Sequence, residues 1–205
     1  MKNNNKKDPQ PKALLVLENN ASIQPASPLD VDYIFVTEFN DSAVADFYKK
    51  YITLSSRPEV KIIPVVVSSF GGQVHSLLAM LDIMESSTKP VATIGLGKAM
   101  SCGSVLLAAG TPGYRFVAPN TDIMIHEVSS VNWGKNTDIQ NDAVQTKKLN
   151  DKLLKLYAKY ANHNDAKFFL KQLHAKSNVD WWITPKEFVK YGLADHIQVP
   201  QLVKK

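Results

Sequence analysis

Strand-like apolar runs alternate with helical patterns along most of this chain, and that alternation leaves few folds open. VDYIFVTEF (31–39) is β-branched and aromatic, and DSAVADFYKKYITL (41–54) then shows helical spacing. VKIIPVVVSS (60–69) reads as a second strand, ended by Phe70-Gly71-Gly72. QVHSLLAMLDIMESS (73–87) reads as an amphipathic helix and VATIGL (91–96) as a third strand. A helix from about Ser101, a short strand at 114–117 and the strand TDIMIHE at 121–127 follow. Near-continuous apolar strands separated by helices predict an α/β fold whose mainly parallel sheet is covered on both faces.

One long helix is predicted from Thr137 to about Asn162. Leu149, Leu153, Leu156 and Tyr160 form its apolar stripe, with Lys148, Lys152, Lys155 and Lys159 beside it. The basic stripe reads as a solvated face. An exposed apolar stripe predicts an interface, so the helix is expected to act as an arm for oligomer contacts. Near the C-terminus, Thr184-Pro-Lys-Glu187 is a capping box with Pro at the first helical position, and Gly192 closes that helix.

The 205 residues, 44% hydrophobic, fit one globular domain with a sizeable core. Residues 1–12 (MKNNNKKDPQPK) read as a disordered basic tail, 13–200 as a single domain and 201–205 as a C-terminal tail. The net charge of +5 belongs to the ends, because residues 13–203 sum to zero. A neutral body argues against a nucleic-acid partner. The single cysteine, Cys102, excludes an intrachain disulfide and favours a reducing, cytoplasmic location. No apolar run approaches the ~20 residues needed to span a bilayer, and ALLVL (13–17) is short for a signal sequence. Neither a phosphate-binding glycine loop nor a Cys/His cluster with zinc spacing is present, so no bound cofactor or metal is expected.

GKAMSCGSVLLAAG (97–110) puts Ser101 between small residues, just before an apolar helical run. A serine there can cap the helix. It can also be a nucleophile, since the free amides at a helix start favour a developing oxyanion. Gly71-Gly72 lie at one strand end, where a glycine lets the backbone approach a ligand closely. His126 lies at another strand end, so three candidate groups converge on one edge of the sheet. Taken singly, each has an ordinary structural reading: a turn, a strand-end polar residue and, for Asp180, a loop acid.

As an ordered set these residues resemble the Clp protease proteolytic-subunit family (ClpP) over roughly residues 30–198. The family's N-S-P-G-G stands here as Ser68-Ser69-Phe70-Gly71-Gly72, its A-S-M-G as Met100-Ser101-Cys102-Gly103 and its M-I-H as Met124-Ile125-His126. Its D-x-F-L-S-x-x-E-A-x-x-Y-G-L-x-D segment stands at Asp180–Asp195, and Gly134 and Thr137-Asp138-Ile139 also keep the family's places. The resemblance implies a ClpP/crotonase-like ββα spiral with the long helix as a protruding handle. It implies a serine endopeptidase acting on unfolded polypeptides, with Ser101, His126 and Asp180 as the triad. The backbone N–H groups of Gly72 and Cys102 would form the oxyanion hole, and Phe70, Gly71, Glu127 and Val128 would bind substrate. Imidazole, with an ordinary pKa near ~6.5, suits the role of base at neutral pH. By the same resemblance the chain would form a heptameric ring or ring pair, with ATP used only by a separate partner unfoldase.

Several positions depart from the family pattern. Phe70 replaces a proline, Cys102 a methionine, and Glu127-Val128-Ser129-Ser130 the usual Gln-Pro and glycine pair. Val179 replaces the basic residue before the acid. Other readings remain: an α/β-hydrolase using Ser101, Asp180 and His196, a crotonase-like acyl-CoA enzyme, a Ser/Lys peptidase with Lys98 as base, and a catalytically degenerate ring subunit. Cys102 is itself a potential nucleophile, but its alignment one position after Ser101 assigns it only a backbone role.

Overall fold

The computed structural model describes residues 32–161, 165–175 and 180–200. The expected tails at 1–12 and 201–205, and the apolar run at 13–17, lie outside the described residues.

Four parallel strands build the centre: β1 (Ile34–Val36), β2 (Ile63–Ser69), β3 (Val91–Met100) and β4 (Arg115–Val117). The first strand is much shorter than the apolar run suggests, and its brevity accommodates Pro64 within β2. Ile63 N–H bonds Pro90 O on the β3 side. Pro64, which has no N–H, therefore faces the β1 side, where pairing begins only at Ile34 opposite Val65.

The third strand runs four residues beyond the predicted VATIGL. Val67 pairs with Gly95, but Ser69 pairs with Ala99, so β3 carries two extra residues there. Gly97, at φ +70°, supplies the left-handed step. Before this irregularity β3 pairs with β4; after it, Lys98–Met100 pair with Asp122–Met124 of β5 (Asp122–Ile125). Strand β6 (Trp181–Ile183) adds antiparallel to β5, and β7 (His196–Ile197) adds parallel to β4.

Helices α1 (Asp41–Ser56), α2 (Val74–Glu85) and α3 (Cys102–Ala108) supply the main core with Phe47, Leu77, Met80, Val105 and Leu106 against Ile34, Val65 and Val67. Burying each such side chain contributes roughly 1.5–3 kcal/mol. Among the described residues, no helix covers the other face of the sheet, where the expectation was of helices on both faces. That face holds a small cluster of the described residues, Val66, Ala92, Ile94 and Phe116, with Ile62, Leu96 and Tyr114 at its margin.

The long helix α4 spans Asn136–Ala161. Its packed face is Leu153, Leu154, Tyr157 and Ala161, rotated from the expected stripe so that Leu149, Leu156 and Tyr160 lie at its edge. From Asn136 to Gln145 every residue is exposed, which makes that half a projection. In the basic stripe, Lys159 pairs with Glu85 at 2.6 Å. A further helix, α5 (Ala166–Ala175), packs on α4 through Phe169, whose ring stacks on Tyr157. The last helix, α6 (Pro185–Lys190), begins with the capping box: Thr184 Oγ1 accepts from Glu187 N–H, and Glu187 Oε2 accepts from Thr184 N–H. It ends at Gly192 (φ +75°), where Gly192 N–H bonds Val189 O and Leu193 N–H bonds Phe188 O.

Arg115 fastens the sheet to the C-terminal segment. Its guanidinium, almost fully buried, donates to both Asp195 oxygens and to the carbonyls of Tyr160 and Gly192. Burial pushes the Asp195 carboxyl up, but hydrogen bonds and charge from Arg115 outweigh it and hold it below its ordinary value.

Candidate active site

The strand ends fix the site. Because β5 runs parallel to the extended end of β3, Met124 lies beside Met100, and both chains leave the sheet at the same edge. Ser101 N–H donates to Met124 O at 2.8 Å, tying the turn after β3 to the end of β5. Two residues beyond Met124, His126 directs Nε2 at Ser101 Oγ, 2.8 Å away.

Ser101 precedes α3, as a cap would, but its side chain makes no capping hydrogen bond. Its backbone sits at φ +53°, ψ −123°, the one positive φ outside glycine among the described residues. An N-cap residue adopts an extended conformation instead. A strained conformation of this kind costs about 1–3 kcal/mol and persists only where surrounding contacts hold it. Here those contacts are Met124 O on the N–H and, on the Ser101 carbonyl, Ser104 Oγ at 2.7 Å. Ser104 Oγ in turn lies 2.6 Å from the buried Tyr157 hydroxyl of α4. The sequence pattern marks neither Ser104 nor Tyr157 as part of the site; its one signal is a polar residue in an apolar helix.

Gly71 passes against the serine so closely that a Cβ there would lie 2.7 Å from Ser101 Cβ. Ser69 Oγ accepts from Gly71 N–H at 3.0 Å and holds that turn. Gly72 abuts Phe39, where a Cβ would meet the backbone oxygen at 2.6 Å, and Gln73 N–H donates to the same oxygen. Gly71 therefore marks a close backbone approach to Ser101, and Gly72 one to Phe39. Cys102 begins α3, where the first N–H groups lack intrahelical partners. The residue is 1% exposed and its thiol donates to Gly72 O at 3.3 Å, a link that no local sequence pattern marks. Burial pushes the thiol pKa up, with the Gly72 contact opposing it, which disfavours the reactive thiolate.

Asp180 occupies the register position opposite His126, one step beyond the Ile125–Trp181 pair. It is exposed, and no hydrogen bond or ion pair joins it to His126. Glu127 and Val128 are engaged with α4 and α5. Val128 N–H donates to Asn150 Oδ1 at 3.2 Å, Asn150 Nδ2 donates to Glu127 Oε1, and His174 stands 4.0 Å from the same carboxylate. His196 is occupied elsewhere, stacked on Phe116 and 3.2 Å from Gly113 O, so the Ser101–Asp180–His196 arrangement does not form. Lys98 Nζ lies over the Phe70 ring, 4.1 Å from its centre, while His126 is the side chain bonded to Ser101 Oγ.

Among the described residues, no group of His, Cys, Asp and Glu could hold a metal ion, and no helix is long and apolar enough to cross a membrane.

The arrangement offers a hydroxyl on a base, backbone amides beside it, and a carboxylate-bearing strand end opposite. Comparison with known proteins agrees with that chemistry. Residues 18–201 match the Clp protease family. Over 143 residues the chain is 38% identical to a protein of Deinococcus radiodurans named as the ATP-dependent Clp protease proteolytic subunit, covering 70% of this chain and 67% of that one. With the family match spanning most of its length, this chain belongs to the Clp protease family.

Proposed function

We propose that this chain cuts peptide bonds of unfolded polypeptides through an acyl-enzyme on Ser101. Family membership makes it a serine-type peptidase. The observation that carries the residue assignment is the 2.8 Å contact between Ser101 Oγ and His126 Nε2 on a turn strained at the serine. In the first step His126 Nε2 takes the Ser101 proton as Oγ attacks the carbonyl carbon. Negative charge on the carbonyl oxygen is stabilised by the Gly72 and Cys102 N–H groups. The imidazolium then protonates the leaving amine, and water releases the acyl group by the same route in reverse. Asp180 serves by accepting from the imidazole Nδ1–H and stabilising its charged form. That role requires the start of β6 to close on the ring.

The reading places the active chain as one domain, 13–200, in a cytoplasmic homo-oligomer, a heptameric ring or a ring pair. The projecting half of α4 supports it: Val131 and Trp133, in the loop before it, are fully exposed, and Ile139 and Val144 extend the apolar surface along the helix. No cofactor of its own is needed for this chemistry. Degradation of folded proteins would rely on a separate ATP-dependent unfoldase, a partner suggested by the name of the Deinococcus radiodurans relative.

A second reading, a catalytically degenerate ring subunit, is favoured by the unbonded Asp180 and the engaged Val128 N–H. Labelling with a serine-directed fluorophosphonate, followed by identification of the modified residue, tests the proposal. Labelling at Ser101 together with peptide turnover lost in Ser101→Ala supports it; labelling without turnover favours the degenerate subunit.

A further inference from the structure

Lys98 is the charged group nearest the nucleophile in sequence, and the mechanism leaves it without a task. It lies on the extended end of β3, half-buried, three residues before Ser101. Its register partner on β5 is Asp122, yet Lys98 enters none of the ion pairs among the described residues. Its ammonium instead sits over the face of Phe70, 4.1 Å from the ring centre.

Phe70 is 69% exposed, although a large aromatic side chain ordinarily gains by burial. Its place is fixed from both sides, since Ser69 is fully buried and Gly71 presses against Ser101. The ring therefore stands in solvent, one residue before the glycine that abuts Ser101, with a cation on its face and no carboxylate on that cation. A cation on an exposed ring is held weakly, so it remains able to engage a carboxylate that is brought to it. Ring and ammonium together present an apolar surface with a positive edge.

We infer that Phe70 and Lys98 form a side-chain subsite beside Ser101 that takes an acidic substrate residue flanking the scissile bond. The methylenes of that residue lie against the ring and its carboxylate engages Lys98 Nζ, so glutamate, with the longer stem, fits better than aspartate. The inference rests on Ser101 being the nucleophile.

The test uses fluorogenic peptides identical except at one position flanking the scissile bond, filled in turn by Glu, Gln, Lys or Phe, with the full-length protein as enzyme. The expected result is a preference for Glu over Lys in kcat/KM of roughly fivefold, the scale of one partly exposed ion pair. Lys98→Met should flatten the preference and Lys98→Glu should invert it, with Phe70→Ala weakening the Glu peptide chiefly through KM. Fluorophosphonate labelling of each variant confirms folding, and either Lys98 variant alone is sufficient for the decision. An unchanged Glu-to-Lys ratio in a labelled Lys98 variant overturns the subsite. So does a preference for Phe that survives Lys98→Glu and vanishes in Phe70→Ala. Continued hydrolysis by Ser101→Ala would instead overturn the nucleophile assignment beneath it.

Discussion

Asp180 stands opposite His126 across the β5–β6 pair, in the register that joins Ile125 to Trp181, yet their side chains are not hydrogen-bonded. The serine–histidine contact is therefore made without the carboxylate. Ser101→Ala and His126→Ala are each expected to lower kcat by about 10⁶, and the double variant by no more, because the two act as one unit. Asp180→Ala should cost less, about 10⁴, since the base remains on the hydroxyl. Single-turnover acylation by an activated ester would measure all four. Equal losses for Asp180→Ala and Ser101→Ala would contradict this ordering.

The glycine pair allows a sharper test of backbone placement. Gly71→Ala puts a methyl 2.7 Å from Ser101 Cβ at φ +108°, so both the backbone and the Ser101 side chain must shift. We expect loss of fluorophosphonate labelling together with about 1–3 kcal/mol of destabilisation. Full labelling at an unchanged Tm would mean that Gly71 does not abut the serine.

In the proposed mechanism Cys102 contributes an amide and a fastening rather than a nucleophile. Cys102→Ala keeps the N–H but loses the thiol contact to Gly72 O and leaves a small void, a stability cost of about 1 kcal/mol. Activity should be largely retained, because loss of an oxyanion donor would show as ~10²–10³ in rate. With burial raising the thiol pKa, the native protein should resist thiol reagents at neutral pH and react once denatured. Rapid modification of the folded protein would rule out the buried placement.

Acid should expose the Arg115–Asp195 link. A carboxyl whose folded pKa lies below its unfolded value, ordinarily near ~3.9, binds fewer protons when folded. Its stabilisation is fully present above the unfolded value and is lost as pH falls through the folded one. Asp195→Asn leaves the Arg115 guanidinium buried without its counter-charge, at a cost of about 3 kcal/mol at pH 7. The gap between wild type and variant should narrow below about pH 4. Denaturant unfolding at several pH values measures it, and a constant gap would show that the ion pair is not the cause.

The strands that lead into Gly71, Ser101 and His126 are legible because their sequences are rich in apolar, β-branched residues, and strand ends gather on one edge of a parallel sheet. Other features left little trace. Strands β6 and β7 are three and two residues long, too short for any periodicity. The extension of β3 through Gly97 reads as a turn, because glycine usually ends a strand and here lets it continue displaced. The α4 stripe was rotated because Leu149 and Leu156 fit the same helical spacing as Leu153, and only the position of α3 and α5 decides which side is packed. Contacts such as Cys102 to Gly72 and Lys98 to Phe70 join residues about thirty apart that no local pattern connects.

If Ser101 is the nucleophile, as proposed, its positive φ places selection for activity and selection for durability in opposition at a single position. Glycine adopts that conformation freely, so Ser101→Gly should be more stable than Ser101→Ala, by about 1 kcal/mol, although neither side chain offers a hydroxyl. The most comfortable residue for this turn is one that cannot catalyse. A lineage released from proteolysis would be free to drift toward glycine there, gaining a sturdier subunit as it lost its enzyme.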